Sequence, residues 1–200
     1  MNFSIQKGID LDATFQNKFQ FQSAFFFACH EGRIDIVKLM LEYSNWNINF
    51  NARFGGLTAF IKACYKGHTE IVKLLLDHAR ELNINVNATN NEGFSGLMLA
   101  CDLGRTNIVK LLLEYAGKVH IKLNARNRLN GNTAFICACD FGHLDIVRMF
   151  LDYSGPINID FNVKNNQGQT GFDIAAMYGK TEIVTSIYNN LLDSEKLSKS

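Results

Sequence analysis

Two hydrophobic periods take turns along this chain. Stretches with apolar residues three and four apart read as amphipathic helices, and shorter stretches that alternate polar and apolar read as extended. The helical stretches come in pairs. The first of each pair opens with a Ser or Thr, a small residue and a large apolar one, the last being Phe25, Phe60, Leu97, Phe135 and Phe172. An alanine follows three residues later, at Ala28, Ala63, Ala100, Ala138 and Ala175, and the stretch closes on Gly32, Gly67, Gly104, Gly142 and Gly179. The hydroxyl residue predicts an N-capped short helix and the glycine a helix end at positive φ. The second stretch carries Ile-Val at 36–37, 71–72, 108–109, 146–147 and 183–184, with leucines one turn on and a charged opposite face such as Glu70, Lys73 and Asp77.

The closing glycines recur at intervals of 35, 37, 38 and 37 residues. A period in this range predicts a solenoid, whose units bury their apolar faces only by stacking on neighbours. Between units lie alternating segments, Asn47-Ile-Asn-Phe-Asn, Asn83-Ile-Asn-Val-Asn, His120-Ile-Lys-Leu-Asn and Asn158-Ile-Asp-Phe-Asn, each followed by turn formers such as Asn130-Gly and Asn166-Gln-Gly. These predict β-turn or hairpin arms standing off the helices.

At this level of detail the chain resembles the ankyrin repeat family. The resemblance rests on the Thr-Ala-Phe-Ile-x-Ala-Cys opening, Gly67-His68 and Gly142-His143, the run Ile71 to Leu76, and Asn51-Ala52, Asn87-Ala88 and Asn124-Ala125. It implies an all-α fold: an ankyrin-repeat solenoid of stacked helix-turn-helix units with β-turn or hairpin arms. The organisation expected is a partial N-terminal arm or cap at 1–19, repeats at 20–53, 54–89, 90–126 and 127–164, a fifth, capping repeat at 165–193, and a polar tail at 194–200. Two departures stand out. The family's Thr-Pro-Leu-His has lost its proline, and its histidine is replaced by Phe26, Ile61, Met98, Ile136 and Asp173. The inter-repeat turns, which that histidine bonds in the family, must be satisfied by other groups. The units also exceed the usual length of about 33 residues. The excess lies between Leu76 and Asn87, in either the outer helix or the arm.

Composition narrows the function. Of five cysteines, Cys29, Cys64, Cys101 and Cys139 share one repeat position, where the fifth unit has Ala176. Equivalent helices stack about 8–10 Å apart, and a disulfide needs Cα atoms within about 7 Å, so this column reads as packing rather than chemistry. Cys137-x-Cys139 alone is no zinc site. His30 beside Cys29 is not a nucleophile–base pair, because consecutive helix residues point apart. His68 and His143 are expected to bond locally in their turns. Asp102 and Asp140 recur one repeat apart and invite a paired-carboxylate reading, but an open face has nothing to exclude water. No catalytic or metal-binding residue, and no cofactor, is assigned.

Function is expected where the copies disagree. The pair of residues before each closing glycine differs from unit to unit: His30-Glu31, Tyr65-Lys66, Asp102-Leu103, Asp140-Phe141 and Met177-Tyr178. The resemblance implies that these line a concave groove, together with the arm-tip residues Arg53, Phe54, Arg126, Arg128, Leu129 and Lys164. Aromatics flanked by charges are what interface anchors look like. Packing of Leu103 and Phe141 against a neighbouring arm is the bland alternative. The function expected is a non-catalytic protein–protein interaction scaffold, an adaptor or intracellular effector, binding an unidentified partner protein. An enzyme and a nucleic-acid-binding module are the alternatives. A net charge of only +1 argues against a strong phosphate footprint through Arg53, Arg126, Arg128 and Lys164. No small-molecule substrate, membrane association or oligomerisation is expected. Unpaired thiols and an N-terminus without a basic region before an apolar block favour a cytoplasmic or otherwise intracellular location, in a host cell's cytoplasm if the source is a pathogen or virus.

Overall fold

The structure, a computed structural model, describes residues 18–42 and 48–198, with side chains in the ranges 22–42 and 48–192. Among these lie ten helices and no strand longer than an isolated bridge. They are α1 (Lys18–Glu31), α2 (Ile34–Glu42), α3 (Ala59–Lys66), α4 (Thr69–Asp77), α5 (Gly96–Asp102), α6 (Thr106–Val119), α7 (Ala134–Phe141), α8 (Leu144–Leu151), α9 (Gly171–Met177) and α10 (Thr181–Ser198). Odd-numbered helices pack on one another in an inner row, even-numbered ones in an outer row, and each pair is joined by the glycine turn. The fold is therefore the all-α repeat solenoid expected. The capping segment expected at 1–19 falls almost wholly outside the described residues, as does Asn47. Helix α10 runs on through Ser198, into the stretch expected to be a polar tail.

Local chemistry sets each inner helix. Thr58, Ser95, Thr133 and Thr170 have extended backbones, and their hydroxyls accept N–H bonds from Ile61, Met98, Ile136 and Asp173 at 3.2–3.3 Å. Each cap satisfies one orphan donor of the first turn. The first unit departs from the expectation, since Ser23 sits inside α1 rather than capping it. The other caps are preceded by an arm turn with a glycine, Gly56, Gly93, Gly131 or Gly168. Ser23 is preceded by Lys18-Phe-Gln-Phe-Gln, which has no breaker, so the helix continues back through it. At the other end all five closing glycines have φ between 65° and 86°. The N–H of the next residue then reaches back to the repeated alanine: Arg33 to Ala28, His68 to Ala63, Arg105 to Ala100, His143 to Ala138 and Lys180 to Ala175, at 2.8–3.0 Å. Packing fixes the small alanine side chain, and the turn uses only its carbonyl.

The core lies between the two rows. Phe25, Phe60, Leu97 and Phe135 are buried, as are Val37, Val72, Val109 and Val147, each large side chain contributing about 1.5–3 kcal/mol by leaving water. Their counterparts in the fifth unit, Phe172 and Val184, are only half-buried, with no further unit stacked on them among the described residues. The cysteine column packs against the small residue that opens the next inner helix. A Cβ on Gly96 would lie 2.8 Å from Cys64 Sγ, and one on Gly171 2.9 Å from Cys139 Sγ.

The surplus length is spent in three ways. In the third unit it lengthens the outer helix, α6 being 14 residues long; α4 has only nine. In the second, α4 gives way to turns that end like α6: Ile84 N–H donates to Ala79 and Ile121 N–H to Ala116, after Asn83 and His120 at φ 50° and 54°. In the fourth, a loop through Pro156 replaces helix, and Pro156 rests on α6 where a Cβ at Gly117 would be 2.4 Å from its ring.

Asparagine side chains lace the units together. Asn51 donates to the Asn83 carbonyl and accepts from Asn85 N–H, at 2.8 and 2.7 Å. Asn87 does the same to His120 and Lys122, and Asn124 to Asn158 and Asp160, at 2.8–3.0 Å. Each amide clips the extended segment of the following unit. The turns that the family histidine would serve are instead held by Asn90, Asn127 and Asn165, whose Oδ1 atoms each accept two N–H bonds of their own turn.

Candidate protein-binding face

The varying pairs occupy the last turn or the C-cap of each inner helix, so stacking the helices brings them into one band. Within it the second member of each pair is exposed in every unit: Glu31, Lys66, Leu103, Phe141 and Tyr178. Of the first members, Tyr65 and Met177 are exposed, while His30, Asp102 and Asp140 are half-buried against the neighbouring unit. Phe141 is 54% and Tyr178 57% exposed, which sets aside packing against an arm for these two. Leu103, at 37%, sits at the boundary between the two readings.

Neighbouring contacts orient the band. Lys62 Nζ lies 5.3 Å from the centre of the Tyr65 ring, a cation–π arrangement on the exposed face of α3. His143 stacks on Phe141 with ring centres 6.4 Å apart and planes 13° from parallel. Its Nε2 is 3.0 Å from the Asp102 carbonyl oxygen, and His68 Nε2 is 2.9 Å from that of His30. These turn histidines, expected to bond locally, therefore tie the second unit to the first and the fourth to the third. Met177 sulfur accepts from Gln169 Nε2 at 3.5 Å, anchoring the last unit's band to its own arm.

The electrostatics are uneven. Partial burial and the Asp140 charge hold the Asp102 carboxyl above its ordinary value, and partial burial does the same for Asp140, with Lys180 opposing. Neither carboxylate has an ion pair among the described residues, where pairs within 4 Å are His30–Glu31 and Lys73–Asp77. At the opposite end, partial burial and the Lys62 ammonium depress the His30 ring.

The arm-tip set divides. Arg53 donates to the Gly56 and Thr89 carbonyls at 2.8 and 2.7 Å, and Arg126 to the Gly131 carbonyl and Asn166 Oδ1 at 3.0 and 2.8 Å. Both guanidiniums brace their own arm to the next. The Phe54 ring lies 5.0 Å from Phe26 and is half-buried. Arg128, Leu129 and Lys164 remain exposed at the tips. All five thiols are buried and unpaired, and burial pushes each well above its ordinary value. They are poor nucleophiles. No three His, Cys, Asp or Glu side chains gather in metal-ligand geometry among the described residues, and no described helix is long and apolar enough to cross a membrane.

One feature escaped the sequence reading. A cleft of about 640 Å³ opens on the outer row between α6 and the loop after α8, lined by Leu113, Gly117, Lys118, Met149, Tyr153 and Pro156 among others. Its sequence signals were the single proline and the glycine inside α6 that admits it.

Comparison with known families agrees with this geometry. The model described as ankyrin repeats (3 copies) matches residues 4–86, 25–127 and 117–198. The chain belongs to the ankyrin repeat family. No curated protein matches it significantly. Ankyrin repeats are generally protein–protein interaction modules and typically non-enzymatic.

Proposed function

We propose that the chain is a non-catalytic scaffold that holds one partner protein along the inner-helix band, with Arg128, Leu129 and Lys164 contributing from the arm tips. The observation that carries this reading is the run of exposed Leu103, Phe141 and Tyr178 on three successive units, joined by Tyr65 on the second. Large apolar side chains repeated at one register have no role in stacking, which is already completed by the buried phenylalanines and valines. Aromatic anchors of this kind dominate the energetics of protein interfaces. An adaptor or intracellular effector role fits such a scaffold. Buried thiols with raised pKa and carboxylates on an open face favour it over an enzyme, and Arg53 and Arg126, two of the four arm-tip cations, are committed to neighbouring arms rather than held out for phosphates. The triple variant Tyr65→Ala/Phe141→Ala/Tyr178→Ala tests the assignment. It is expected to lose partner capture from cell extract at unchanged helicity and melting temperature, and undiminished capture would refute the band as the binding face.

A further inference from the structure

Charge changes sign along the band, from exposed Glu31 on the first unit to lysines on the second and aspartates on the third and fourth, and this restricts what it can hold. At the second unit Lys62 and Lys66 flank Tyr65. At the third and fourth units, Asp102 and Asp140 occupy successive first positions, each beside an exposed apolar residue, Leu103 and Phe141. The Asp140 charge bears on Asp102, and neither carboxylate accepts a hydrogen bond or ion pair among the described residues. The basic side chains beside them are engaged elsewhere: Lys180 lies along Gly142, and His143 spends its Nε2 on the Asp102 carbonyl while its ring backs Phe141. Half-burial without a hydrogen-bonded or paired counter-charge is unfavourable for a carboxylate, and a cation brought to this part of the band relieves it.

We propose that the partner segment seated on this face carries a lysine or arginine flanked by apolar residues, its cation at Asp102 and Asp140 and its apolar neighbours on Leu103, Phe141 and Tyr178. Lys62 and Lys66 repel a second cation at the second unit, so they fix which way the segment runs and favour an acidic residue there. The inference rests on the band being the binding face, and deepens that reading.

Selection from a randomised peptide library displayed against the full chain tests it, with enriched peptides resynthesised and titrated by fluorescence anisotropy. The expected result is enrichment of Lys or Arg between apolar residues. Affinity should fall at least about fivefold on Asp102→Asn/Asp140→Asn. A parallel selection on Asp102→Lys/Asp140→Lys should enrich Asp or Glu at the same place. Peptides that lose affinity on Tyr65→Ala/Phe141→Ala/Tyr178→Ala, yet show no cation preference and ignore the aspartate variants, would overturn this proposal and leave the binding face standing. Peptides indifferent to both sets of changes, or no enrichment at all, would overturn both. Matched melting curves of the variants show that each remains folded.

Discussion

The strongest constraint at the residue scale is carried by side chains whose repetition is visible in the sequence but whose job is not. Asn51, Asn87, Asn124 and Asn162 stand in one column, and identical letters suggest identical roles. Three of them bridge a carbonyl and an N–H of the following unit. Among the described residues Asn162 makes no such clip, and α10 runs on as helix where the next extended segment would begin. Replacing Asn87 by Ala should therefore cost about 1–3 kcal/mol, because two main-chain groups lose their partner. The same change at Asn162 should stay within about 0.5 kcal/mol. Urea denaturation of the two variants checks this, and equal losses would refute the clip. The cysteine column was legible from its register alone, because a position that accepts Ala in one unit and Cys in four is defined by size. Arg53 and Arg126 were not. Reading them as arm-tip residues gave their place, but only the folded arms show that each guanidinium reaches the next turn.

At the scale of elements, helix pairs, glycine turns and arms followed directly from hydrophobic period and turn chemistry. What the period left open was how the surplus residues fold, since a helix continued by one turn and a run of tight turns place the next isoleucine equally well. Ile84 and Ile121 are held by equivalent bonds although one follows turns and the other a continuous helix. The fourth unit shows how two distant residues decide such a choice. Gly117 in α6 leaves room for Pro156, and a methyl group there would stand 2.4 Å from the proline ring. In an ordinary helix interior Gly→Ala stabilises by about 1 kcal/mol. Here Gly117→Ala should destabilise, whereas in a Pro156→Ala background it should stabilise. Thermal denaturation of the four members of this cycle tests the contact, and the same sign in both backgrounds would contradict it. The start of α1 shows the opposite failure of local reading, where Ser23 resembles a cap yet lacks the preceding glycine turn that makes its counterparts caps.

For the molecule as a whole, stacking separates what must repeat from what is free to differ. The inner and outer rows enclose the phenylalanine, valine and cysteine columns, the asparagine clips lace unit to unit, and the turn histidines tie His68 to the first unit and His143 to the third. Once these positions are assigned, the exposed apolar residues of the inner band have no structural duty left to explain them. The band's location could be anticipated from the disagreement between copies. Its charge polarity could not, because the half-burial of Asp102 and Asp140 is a property of stacked units rather than of either residue's neighbours in sequence. The outer row offers a competing surface, with Ile36 and Leu39 exposed and the cleft beside Pro156. Site-specific photo-crosslinking distinguishes the two faces most directly. A photoreactive phenylalanine analogue at Phe141 or Tyr178 should capture the partner in cells, and the same analogue at Ile36 or Lys110 should not. Capture from Ile36 or Lys110, with none from Phe141 and Tyr178, would contradict the account.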